Sequence, residues 1–125
     1  MNGTITAAGP VCALLVGALL VGACGDPPLA PEAARARAST IWAERCVPCH
    51  GANGRGDGPG AKLLPVKPRN FGDGAWQRST DDARIAQVIV DGGMSVGLDR
   101  NMAANPDLRT KPEVVAALVE LIRGL

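Results

Sequence analysis

The chain holds a single histidine, His50, and it directly follows two cysteines separated by two residues: Cys46-Val-Pro-Cys49-His50. That coincidence constrains the molecule more than any other feature. A histidine-based triad, a two-histidine protease site and a pair of axial imidazoles would all compete for this one ring. A structural zinc site wants four ligands, commonly with a second cysteine pair. The other two cysteines, Cys12 and Cys24, lie far upstream. A thioredoxin-like dithiol normally sits in a βαβ context, and no alternating strand pattern accompanies this one. A disulfide across two residues would be strained and would leave His50 unexplained.

The spacing suits a different chemistry. On one helical turn, Cys46 and Cys49 can each form a thioether with one vinyl group of a haem. His50 then lies beneath the iron and offers Nε2. Cys-x-x-Cys-His is the attachment signature of c-type haem. Composition agrees. The chain carries one Phe, two Trp and no Tyr, a weak endowment for a small core. A large apolar cofactor would make up the shortfall. The formal net charge of +1 argues against a nucleic-acid partner.

The N-terminus sets the compartment. No charged side chain precedes Asp26, and Val11 to Val21 is an apolar run. Eleven helical residues cover roughly 16 Å, too short for a bilayer core but suited to an export signal. The run ends in Val21-Gly22-Ala23-Cys24, which resembles the lipobox of bacterial lipoproteins. That resemblance implies a lipid on the Cys24 sulfur and membrane anchoring. Ordinary cleavage after Ala23 and an uncleaved anchor remain alternatives. All three put the rest of the chain outside the cytoplasmic membrane, on the periplasmic or extracytoplasmic side. The expected organisation is a signal peptide over 1–23, a Pro-rich tether over 24–31 and one domain over 32–125.

Within that domain, residues 32–45 are Ala-rich and read as a helix with Ala34, Ala38, Ile41 and Trp42 on one face. Five glycines in 51–60 preclude a regular element, and no strand or Gly-Lys-Ser/Thr makes them a phosphate loop. Pro65 and Pro68 predict a loop over 63–71. A second helix is expected over 81–91, capped by Thr80, stopped by Gly92-Gly93, and burying Ile85, Val88 and Ile89. A third spans about 111–123, with a capping box at Thr110-Lys-Pro-Glu113 and Val114, Leu118, Leu121 and Ile122 on one face.

Together these segments resemble a class I mono-haem cytochrome c over about residues 33–125. The resemblance implies an all-α fold of three to four helices wrapped around one covalent haem c, with His and Met as axial ligands. It implies that the carbonyl of Pro59 accepts the Nδ1–H of His50, and that Arg69, Asn70 and Trp76 are candidates for the haem propionates. It places Ala38 where the terminal helices cross and sets Leu121 against Trp42. Only Met94 and Met102 follow the haem motif. Met102 lies 52 residues after His50, in an aperiodic loop between two helices. It is the expected distal ligand, with Met94 the alternative and an open site a third.

The expected function is one-electron transfer between redox partner proteins, with no catalytic residues and no small-molecule substrate, because a six-coordinate iron has no free position. An open-site haem enzyme or gas binder, a haem-free thiol oxidoreductase and a subunit tethered to a larger complex are the rivals.

Overall fold

In the computed structural model the residues described are 27–125. The signal peptide, Cys24 and the start of the tether lie outside the described residues. The chain leaves an exposed, extended stretch at residues 27–30 and enters α1 (Pro31–Ile41). Pro31 takes the first turn, where its missing N–H has no intrahelical partner to lose, so the helix begins inside the expected tether. A π-turn (Trp42–Cys46) and α2 (Val47–His50) follow without a break. The segment expected as one plain helix over 32–45 therefore runs on through His50. The wider turn lies directly before the haem motif, and one extra residue there re-aims the side chains that follow.

The remaining helices are α3 (Gly74–Ser79), α4 (Asp82–Asp91) and α5 (Pro112–Arg123). Short 3-10 turns occur at Pro59–Leu63, Met94–Val96 and Pro106–Leu108. Counting α1 through α2 as one rod, the described residues form four helices and no strands.

The core forms where α1 lies against α5, the broadest contact between elements. Ala34, Ala38 and Ile41 meet a face of α5 that buries Val114, Val115, Ala117, Leu118, Val119 and Ile122. Ala38 is 1 % exposed, so a methyl group is all this crossing accommodates. Leu121 is only partly buried beside the core. On α4, Ile85 and Ile89 are buried, while Val88 is half-buried.

Two helix starts differ from expectation. Thr80 does not cap α4. It ends α3 in an extended conformation, and the Asp81 side chain caps instead by accepting the Arg84 N–H at 2.7 Å. The box at Thr110 does not form either. Lys111 precedes Pro112, and the proline ring disfavours helical geometry at the residue before it. Lys111 (φ −131°, ψ 60°) is therefore the cap and α5 starts at Pro112. Glu113, released from the box, accepts the Leu29 N–H at 3.3 Å.

No hydrophobic periodicity announces α3. Its signal is Asp73, whose carboxylate accepts from the N–H groups of Ala75 and Trp76. The Gln77 amide then hangs it on the core by donating to the carbonyls of Phe71 (2.8 Å) and Ile122 (3.0 Å). Among the described residues no helix is long and apolar enough to cross a membrane.

Candidate functional site

The α1–π–α2 rod delivers Cys46, Cys49 and His50 in one helical turn. Both thiols are free and half-buried, and His50 is buried. Two loop contacts pin the end of the rod: Gly56 N–H donates to the His50 carbonyl at 2.8 Å, and Gly58 N–H to that of Cys49 at 3.1 Å. These bonds hold the 3-10 turn that begins at Pro59 across the motif.

Pro59 itself is not the partner of the histidine ring. His50 Nδ1 lies 3.1 Å from the carbonyl oxygen of Arg69, and Pro59 is exposed at the head of its turn. The reason is the path of the loop. Phe71 N–H donates to the Gly54 carbonyl at 2.7 Å, which draws residues 69–71 against the motif. With the Nδ1 proton donated to that carbonyl, Nε2 carries the free lone pair. Burial pushes the His50 pKa below its ordinary value, the Arg69 carbonyl opposing only in part. The neutral, ligating form of the ring is thereby favoured.

Phe71 is a site residue that sequence reasoning misses. Its ring stacks on His50 with centroids 4.5 Å apart and planes 15° apart. Trp42 lies 6.1 Å and Trp76 5.3 Å from Phe71. No spacing rule points to Phe71; only its rarity in an aromatic-poor chain could. Of the propionate candidates, Arg69 and Trp76 are brought together, the guanidinium 6.0 Å from the indole centroid. Asn70 is turned to another task, its amide oxygen accepting the Gly72 N–H at 3.0 Å.

The two methionines differ sharply. Met94 opens a 3-10 turn and is 70 % exposed. Met102 is half-buried, and its carbonyl accepts the Gly93 N–H at 2.9 Å. The 92–105 loop is closed at its neck by that bond, by Asn105 N–H to the Val90 carbonyl (3.0 Å) and by Asn105 Nδ2 to the Ile89 carbonyl (2.9 Å). Gly92 makes the neck possible. At φ +78°, it comes so close to the returning chain that a Cβ would lie 2.9 Å from Ala104 N and 3.0 Å from the Met102 carbonyl.

The donor set fits a haem. Two thiols and an imidazole with a free Nε2 stand in attachment order. Large exposed apolar side chains (Leu63, Val66, Met94 and Leu98) occur in the loops and 3-10 turns on either side of α3 and α4, as segments that cover an apolar disc require. A metal site of protein ligands alone has no support. Among the described residues no cluster of three or more His, Cys, Asp and Glu could hold an ion. Dithiol chemistry is disfavoured too. Burial pushes the Cys46 thiol up to about 11, whereas a reactive cysteine needs its thiolate.

The geometry defines a small helical haem protein, and comparison with known proteins agrees. The cytochrome c family model matches residues 35–125, and the chain belongs to that family. Its cofactor is covalently bound haem c. The chain is 35% identical over 68 residues to the cbb3-type cytochrome c oxidase subunit FixP of Azorhizobium caulinodans; the match spans 54% of this chain and 20% of that subunit. Among solved structures it is similar to the KustC0563 c-type cytochrome, with 32% identity and a TM-score of 0.52 over 68% of this chain and 92% of that one.

Proposed function

We propose that this chain is a one-electron carrier whose haem is held by thioethers to Cys46 and Cys49, with His50 and Met102 as axial ligands. The observation that carries this reading is the His50 ring, buried and bonded through Nδ1 to the Arg69 carbonyl at 3.1 Å, so that its ligating nitrogen has a fixed aim. The cofactor supplies the Fe(III)/Fe(II) couple. The chain excludes water, holds both ligands and limits reorganisation. Met102 is preferred to Met94 because its backbone is built into the neck of the loop, while Met94 stands 70 % exposed. Arg69 and Trp76 would steady the propionates. With both axial positions filled there is no place for a substrate, and the protein is a carrier rather than an enzyme.

The resemblance to FixP supports redox protein partners in a respiratory chain and a site of action on the extracytoplasmic side. There, lipidation at Cys24 and the Pro-rich tether over 24–31 would keep the domain near its partners. The test is a visible and near-infrared spectrum of the oxidised protein beside Met102→Ala and Met94→Ala. The sulfur-to-iron charge-transfer band should vanish only in Met102→Ala. Its persistence there would overturn the ligand assignment. Rapid carbon monoxide binding by the reduced wild type would overturn the carrier reading. Mass spectrometry of the membrane fraction should find a diacylglyceryl group on Cys24, lost in Cys24→Ser.

A further inference from the structure

Arg45 stands one residue before Cys46, in the π-turn. Its Nη1 donates to Asn105 Oδ1 at 3.1 Å and to Asp107 Oδ1 at 2.9 Å, and its Nη2 donates to Asp107 Oδ2 at 3.1 Å. The guanidinium thus grips the carboxylate with two parallel bonds, a geometry in which lysine cannot replace it. Asn105 is also the residue whose N–H and amide close the 92–105 loop onto the end of α4. Among the described residues, no other side-chain hydrogen bond or ion pair joins residues 42–50 to the loop and the turn after it. One side chain therefore ties the haem-bearing rod to the far end of the loop that carries Met102.

We propose that Arg45 is a positioning residue for the sixth ligand: through Asn105 and Asp107 it clamps the loop so that Met102 stays on the metal. The proposal rests on Met102 being that ligand. The clamp is solvent-exposed at its rim, with side-chain exposures of 36% for Arg45 and 49% for Asp107. Exposed ion pairs add little to global stability. The effect therefore belongs to local opening of the loop, whose population can rise while the rest of the fold is unmoved.

The experiment is a titration of the oxidised holoprotein with imidazole, which competes with methionine for the sixth position and abolishes the charge-transfer band. Apparent affinity scales with the open fraction. Arg45→Ala and Asp107→Asn should each bind imidazole about two- to fivefold more tightly than wild type. The double variant should bind no more tightly than either single one, because both remove the same contact. Arg45→Lys should fall between Arg45→Ala and wild type. Arg35→Ala breaks the similarly exposed Arg35–Glu120 pair and should titrate like wild type. If Arg45→Ala and Asp107→Asn titrate like wild type while Met102→Ala binds imidazole more tightly, the clamp is refuted and the ligand stands. If Met102→Ala keeps the band and the wild-type affinity, the ligand assignment falls and takes the clamp with it.

Discussion

Replacing Gly93 by alanine separates steric crowding at the loop neck from backbone strain. Gly93 has φ −64° and ψ −43°, a conformation alanine adopts freely. On backbone grounds alone the substitution should stabilise the fold by about 0.4–1 kcal/mol, through the smaller entropy of the unfolded chain. The added Cβ, however, would sit well inside van der Waals contact with the Asp99 carbonyl oxygen and 3.1 Å from Met102 Cβ. That carbonyl cannot simply turn aside, because it accepts the Met102 N–H at 3.2 Å. Overpacking of this kind costs about 1–3 kcal/mol. The steric effect wins, leaving a net loss of about 1–2 kcal/mol and, with a urea slope of about 1–3 kcal/mol/M, a midpoint lowered by about 1 M. The shift passes directly to Met102, so the charge-transfer band should weaken as well. Gly97→Ala is the matched control. Gly97 has φ +76°, and a methyl group there would meet nothing within 4 Å, so its cost of about 1–2 kcal/mol is left-handed strain alone and the band should be unchanged. A Gly93→Ala protein with the wild-type midpoint and an intact band would refute the reasoning.

Other substitutions test the scaffold. Ala38→Leu forces three carbons into the α1–α5 crossing and should cost about 1–3 kcal/mol by urea denaturation; tolerance would mean that the crossing is looser than its burial implies. Phe71→Leu keeps an apolar side chain but removes the stack on His50, and should cost about 0.5–1.5 kcal/mol beyond lost area, measured the same way. The carboxyls of Asp107 and Glu120 are held below their ordinary values, chiefly by hydrogen bonds from Arg45 and Arg35. In acid the unfolded chain therefore binds more protons than the native one, so stability rises with pH. The stabilisation is present above the ordinary carboxylate range and lost as pH falls through the lowered native values. Because both pairs are exposed, Asp107→Asn and Glu120→Gln should be only slightly less stable than wild type by urea denaturation at neutral pH, and should converge with it in acid.

How much of this can be read from the residues depends on the range of the interaction. Cys46, Cys49 and His50, the proposed attachment and ligand residues, lie within one turn, so spacing alone points to them. The buried stripe of α1 repeats at helical period and is equally open to reading. The histidine's partner is not, because Pro59 and Arg69 both follow the motif at plausible distances and only the Phe71–Gly54 backbone bond decides between them. The start of α5 misleads because Thr110 and Glu113 form a capping pattern that Pro112 vetoes at Lys111. The short helix α3 is held largely by Gln77 and Arg123 reaching across about a third of the chain, contacts that no local pattern announces. Arg45 looks like any solvated charge until the fold sets Asp107 opposite it.

The aromatic residues explain why the surroundings of His50 and the 92–105 loop are built differently. The chain has only three, Trp42, Phe71 and Trp76; Trp42 and Phe71 join the same buried cluster as Ala38, Ile41, Val114 and Leu118, and Trp76 packs against it. All three collect with His50 in one chain of rings. Rings are large and rigid, and they dominate the energetics of the cores they join. The imidazole side is therefore dry and stiff, and a substitution there should be felt throughout the fold. The loop that carries Met102 is held by backbone hydrogen bonds, two adjacent glycines and one surface guanidinium. Such a loop opens locally at far less cost than the core. On the proposed Met102 ligation, exchange at the sixth position would begin with opening of this loop, so variants at Gly92, Gly93, Asn105 and Arg45 should change its rate more than variants around His50.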